Sequence, residues 1–297
     1  MPDDTTDPVI GSVLSERNQD HRTRKKLFID LEQHLGRPVV TLFTSFTFPV
    51  MMEDTDVDIL AGVLQMLDLS SGLVLMISSP GGDGLSSERM INVCRSFSKT
   101  GEYWALVPGK AKSAATMVCF GASKILMGPT SELGPVDPQM TVTQEGVPKW
   151  FSAYNIIQSW NELFQQATET KGNLEPYLQQ LARYDAREIK ELQAALDLSK
   201  DISISALASG MMKGTSELDT KKKIGAFLTP AVKKTHGRPI YHAEAKECGL
   251  TIDLLDPGST LWARVYELYI RTNELVSTHV TKCIESKDHS FVAPARQ

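Results

Sequence analysis

The chain has 297 residues, 41% of them hydrophobic, enough to bury a full core as one large domain or as a domain with an appendage. Its 31 Lys and Arg against 36 Asp and Glu leave a formal charge of −5, which excludes a broad phosphate-binding surface and argues against nucleic acid as a partner. The four cysteines are scattered without a CxxC pair, and no histidines fall at HxxxH or HExxH spacing. A disulfide framework is therefore poorly supported, no metal site is expected, and the thiol usage fits a reducing compartment.

In chain order, residues 1 to about 12 are acidic and polar, lack the basic-then-apolar order of a signal peptide, and are expected to be disordered. Val13 to Leu35 reads as a charged helix whose basic patch (Arg22, Arg24, Lys25 and Lys26) is expected to be a solvated face. Gly36-Arg37-Pro38 ends it, and the β-branched run Val39 to Phe43 reads as a strand. Asp54 to Leu67 places Val57, Leu60, Ala61, Leu64 and Leu67 at helical spacing. Strand, helix, strand, helix and strand then follow at Leu73 to Ile77, Ser86 to Phe97, Tyr103 to Val107, Ser113 to Gly121 and Lys124 to Met127. This alternation predicts a parallel sheet covered by crossover helices. No glycine fingerprint for a nucleotide follows any strand, so no cofactor is expected.

Beyond Gly128 the texture changes. Ser131 to Pro138 reads as a turn-rich loop, and Pro148 to Leu228 as mostly helical. An apolar stripe there (Trp150, Tyr154, Ile157, Trp160, Leu163, Phe164) is expected to pack on the core or on a neighbouring subunit. Ser199 to Ile204 and Lys221 to Lys223 read as exposed connections. Leu261 to His279 predicts a helix that ends the fold or packs between subunits. No apolar run approaches the roughly 18 residues of a membrane span, so an intracellular, cytoplasmic protein is expected.

Two segments carry chemistry. Ser78-Ser79-Pro80-Gly81-Gly82 runs out of a buried strand into a turn, and Ala111-Lys112-Ser113-Ala114-Ala115-Thr116 puts a serine at the start of a small-residue helix. Glycine N–H groups, unobstructed by a Cβ, can approach a developing oxyanion, and a serine at the sheet edge can attack a carbonyl. Each has a plainer explanation. Pro-Gly-Gly is ordinarily a tight turn, and a helix-opening serine is ordinarily an N-cap worth around 1 kcal/mol.

Together these segments resemble the oxyanion loop and nucleophile segment of the Clp protease and signal peptide peptidase A superfamily. Gly121 to Gly128, Ser131 to Gln139 and Ala243 to Leu250 look more narrowly like the serine dehydrogenase proteinase family. The resemblance spans about residues 38 to 255. It implies an α/β, ClpP/crotonase-like spiral of ββα units with a helical C-terminal region. Ser113 would be the nucleophile, with the N–H groups of Gly81 and Gly82 as oxyanion donors. It divides the chain into an N-terminal disordered segment and helix (1–36), the ClpP/crotonase-like domain with a helical insertion at about 148–228 (37–258), and a C-terminal helix and tail (259–297).

The chain departs from that family at the base. Where the Clp triad has a histidine after the serine, this chain has Val136-Asp137-Pro138, and where it has an aspartate before the segment matching Glu244 to Leu250, this chain has His236-Gly237. Three bases are left open. His236 titrates near neutrality, Asp137 would orient a base or rise in pKa by burial, and Lys171 is the nearest analogue of a signal-peptide-peptidase lysine. His236 ranks first, then Asp137, then Lys171. Lys112, beside the nucleophile, reads as structural or electrostatic.

The expected function is a serine endopeptidase acting on peptide or protein through a Ser113 acyl-enzyme. The alternatives are a catalytically inactive oligomeric scaffold and a crotonase-type acyl-thioester enzyme. Expected partners are further copies of the chain and an unidentified unfoldase or membrane protein.

Overall fold

The computed structural model describes residues 20–144, 147–229 and 237–295. The first half comprises α1 (Arg22–Leu35), β1 (Val39–Thr44), α2 (Asp54–Gln65), β2 (Leu73–Ser78), α3 (Gly84–Phe97), β3 (Tyr103–Val107), β4 (Lys110–Ala111), α4 (Ala114–Phe120), β5 (Lys124–Met127) and β6 (Glu132–Leu133). A hairpin, β7 (Gln139–Gln144) and β8 (Val147–Ser152), leads into α5 (Ala153–Glu169), α6 (Glu175–Leu181), α7 (Ala186–Ala208), α8 (Glu217–Lys223) and α9 (Gly225–Leu228). The chain returns through β9 (Ile240–Tyr241), α10 (His242–Glu247), β10 (Ile252–Leu254), α11 (Thr260–Thr278), β11 (Val280–Glu285) and β12 (Ser290–Pro294).

The fold is α/β. Its main sheet runs β10-β5-β3-β2-β1-β11-β12, with the first five strands mutually parallel and the last two antiparallel. The central strands read as unbroken apolar runs because both faces are covered. Along β2, Leu73, Leu75 and Ile77 enter one core, while Val74 and Met76 enter the other. The first core lies under helices that include α2, α3, α4 and α7, the second under α1 and α11. A small second sheet runs β4-β6-β9. Both β3 and β5 continue into one of its strands, and β4 passes directly to α4, which forms the ββα unit that the sequence led us to expect.

Three segments differ from expectation. Residues 280–294, expected as a tail, form β11 and β12 and extend the sheet beside β1. Arg24, expected on a solvated face, is buried and donates to both Glu285 carboxylate oxygens, at 2.8 and 2.6 Å. This pair ties α1 to the hairpin; an unpaired charge there would be strongly disfavoured. Ser199 to Ile204, expected as an exposed connection, lies within α7, where Ile202, Ser203 and Ile204 are buried. Among the described residues no helix is long and apolar enough to cross a membrane.

Candidate active site

The parallel strands end together along one edge of the sheet, where their following loops converge. The loop after β2 is stitched to the strand before Ser113: Ser79 N donates to Lys110 O and Lys112 N donates to Ser79 O, both at 3.0 Å. On its other side the loop holds Met52, whose N–H donates to Gly81 O at 2.8 Å and whose carbonyl accepts from Asp83 N at 3.0 Å. This parallel bridge between Met52 and Gly82 turns the Gly82 N–H away from Met52.

Both glycines are required by close approach. A Cβ on Gly81 would lie 2.7 Å from Ser113 Cβ and 2.7 Å from Lys112 O, and its φ is 105°. A Cβ on Gly82 would lie 2.2 Å from Met52 O. Sequence reasoning expected both amides as oxyanion donors. The Gly81 N–H is instead turned onto Ser79 Oγ at 3.1 Å, because the hydroxyl two residues upstream closes the turn.

Ser113 has φ 51° and ψ −122°. Among the described residues it is the one non-glycine with positive φ, a conformation that holds about 1–3 kcal/mol of strain. Its side chain makes no cap hydrogen bond, so the ordinary N-cap explanation does not apply. The next amides are committed to the turn: Ala115 N donates to Lys112 O, and Thr116 N to Ser113 O. Ala114 N, which precedes them, lies 3.0 Å from the Cβ position that Gly81 leaves empty.

Ser113 opens into a cleft of about 620 Å³. Its walls include Phe46, Phe48 and Met51 from the loop after β1, Met117 from α4, and Leu198 and Ile202 from α7. Sequence reasoning missed these walls, since the first lies in an irregular loop and the last in a stretch taken for an exposed connection. Asp83 is the one titratable side chain among the described lining residues, and it caps α3 by accepting from Ser86 N and Ser86 Oγ, both at 2.7 Å.

The three base candidates fall differently. His236 lies outside the described residues. Asp137 is buried and accepts from Gln139 Nε2 at 3.1 Å. Its neighbours Val136 and Pro138 line the cleft, whereas Asp137 does not. Lys171 is exposed beyond the far end of α5, about 25 Å along the helix axis from Ala153 at 1.5 Å per residue. The structure does not bring Lys171 to the cleft.

Lys112 points elsewhere: Nζ pairs with Glu132 Oε1 at 2.8 Å and donates to Leu133 O at 3.2 Å. Burial pulls its pKa below the ordinary lysine value, against the pull of Glu132. All four cysteines are buried and none is in a disulfide, and burial pushes the Cys94 thiol up to about 12. Among the described residues no cluster of three or more His, Cys, Asp or Glu could hold a metal ion.

No family model matches the chain. It is similar to an uncharacterized protein of Methanocaldococcus jannaschii, 27% identical over 180 residues, which are 60% of this chain and 52% of that protein. The chain thus spans about half the length of that relative. Among solved structures it overlays on two forms of the 1510-N membrane-bound stomatin-specific protease. A serine-to-alanine mutant gives TM-score 0.33 at 16% identity, covering 74% of this chain and 97% of that one. A lysine-to-alanine mutant in complex with a substrate peptide gives 0.32 at 17%, covering 79% and 96%.

Proposed function

We propose that this chain is a serine peptidase of the Clp protease and signal peptide peptidase A kind. The observation that carries the reading is Ser113 itself: an uncapped hydroxyl on a strained turn, pressed against Gly81 and open to an apolar cleft. The Oγ attacks a peptide carbonyl and its proton passes to a base and then to the leaving amine. Water releases the acyl-enzyme. The oxyanion donors in this reading are the amides of Gly82, turned away from Met52, and of Ala114.

His236 is the base we favour. It is preferred on its chemistry, since an imidazole exchanges its proton near neutrality. Asp137, buried beside the cleft-lining residues Val136 and Pro138, is the group we assign to orient it. The cleft's hydrophobic walls suit a peptide. Exposed Phe164, stacked with Trp160, gives a second copy of the chain an apolar surface to cover.

The test is a fluorophosphonate probe with mass mapping. Wild type is expected to be labelled at Ser113 and Ser113→Ala to stay unlabelled; equal labelling of the two ends the nucleophile assignment. A catalytically inactive scaffold is the second reading, favoured by a described cleft lining whose one titratable group, Asp83, already caps a helix.

A further inference from the structure

The turn that holds Ser113 in a left-handed conformation is entered from a strand of two residues. One edge of β4 bonds to Ser79; on the other it pairs with β6 through just Lys110 opposite Glu132 and Ala111 opposite Leu133. Side chains add what the backbone lacks. Lys112 reaches across to both residues of β6, binding the Glu132 carboxylate and the Leu133 carbonyl. The stem passes over Gly134, where a Cβ would stand 2.6 Å from Lys112 Cδ. Gly134 N then donates to Thr116 Oγ1 at 3.1 Å, and Thr116 Oγ1 donates to Ala111 O at 2.8 Å. The residues on either side of Ser113 are thus tied to β6. Neither Lys112 nor Glu132 lines the cleft.

We propose that the Lys112–Glu132 ion pair is a positioning clamp that fixes the strand entering the Ser113 turn onto β6 and so holds the serine in its strained conformation. This rests on the reading of Ser113 as nucleophile. The pair is part-buried, and such pairs add little to stability, so the role assigned to it here is to fix an arrangement. The charged or titratable groups that bear on the pair are Lys110 on the same strand, Tyr241 opposite Glu132 on β9, and Tyr269 of α11.

The test compares wild type, Lys112→Arg, Lys112→Met and Lys112→Met/Glu132→Gln. The double variant leaves no unpaired buried charge and carries the test if Lys112→Met does not fold. Probe labelling of Ser113 should fall roughly 10- to 100-fold in the Met variants, as a misplaced reacting group does, and Lys112→Arg should recover most of it. In wild type, labelling should also fall on the alkaline side as Lys112 loses its proton, and Lys112→Arg should abolish that fall. A double variant labelled at the wild-type rate, or an alkaline fall that survives in Lys112→Arg, overturns the clamp. Each variant is also made on Ser113→Cys and alkylated with iodoacetamide, the native thiols being buried. If wild type takes no probe, the nucleophile reading fails, and the thiol still reports on the clamp: slower alkylation with Lys112→Met/Glu132→Gln upholds it, an unchanged rate overturns it.

Discussion

Ser113→Gly and Ser113→Ala both remove the hydroxyl, and only the first removes the Cβ that makes φ 51° costly. At an unstrained position glycine is the less stable of the two by about 0.5–1 kcal/mol, because it loses more backbone freedom on folding. At position 113 the order should reverse. Relief of a strained φ/ψ contributes about 1–3 kcal/mol. Against it stand that entropy term and the lost contact of one buried carbon with Gly81, at most about 0.8 kcal/mol. At the middle of these ranges the balance favours glycine by about 0.5 kcal/mol. Unfolding entropy near 2.1 cal/mol/K per residue, over a chain of this length, makes each kcal/mol worth about 1.5 °C in Tm. Paired calorimetric scans of the two variants should therefore place Ser113→Gly about 1 °C above Ser113→Ala. If Ser113→Gly melts more than about 1.5 °C below Ser113→Ala, the strain is less than about 1 kcal/mol and the turn holds the serine in no special way.

Gly82→Ala forces a Cβ against the Met52 backbone, which cannot yield as a side chain can. Probe labelling should drop by more than about tenfold, and circular dichroism separates loop displacement from unfolding; unchanged labelling would remove Gly82 from the site. Arg24→Ala strands the buried Glu285 carboxylate and should lower stability in denaturant by about 3–5 kcal/mol, while Arg24→Met/Glu285→Leu should recover most of it. Lys112 has a folded-state pKa below its unfolded one, so between those two values the unfolded chain holds more protons. Stability should therefore rise with pH across that window, and a Lys112→Arg chain should show a flatter profile in pH-dependent melts. The buried thiols, Cys94 among them, should not react with Ellman's reagent at neutral pH until the chain unfolds, and a fast native phase would contradict their burial.

What could be read from residues alone follows from the range over which each feature is determined. Leu73 to Ile77 declares itself as a strand because both of its faces meet a core, and no long-range information is needed to see an unbroken apolar run. The close approach at Gly81 and Gly82 leaves a similarly local mark, since only a residue without a Cβ fits there. The bond from Gly81 N to Ser79 Oγ leaves no such mark, because it is set by the angle of the turn rather than by any residue pattern. The Arg24–Glu285 pair joins residues 261 apart, so the sequence displays only a basic cluster and an isolated glutamate. Likewise β12 has an exposed edge and no apolar face to advertise it. The cleft makes the division clearest. Its chemistry sits on the short motifs, but its walls come from the loop after β1 and from α7, two segments with no motif of their own. The proposed nucleophile is therefore readable without the fold, whereas the cleft takes shape only once α7 has packed against α3 and α4. On the proposed function, substitutions at Leu198 or Ile202 should change which peptides are cleaved while leaving probe capture at Ser113 nearly intact, and a selectivity profile over a peptide library that ignores them would place the substrate elsewhere.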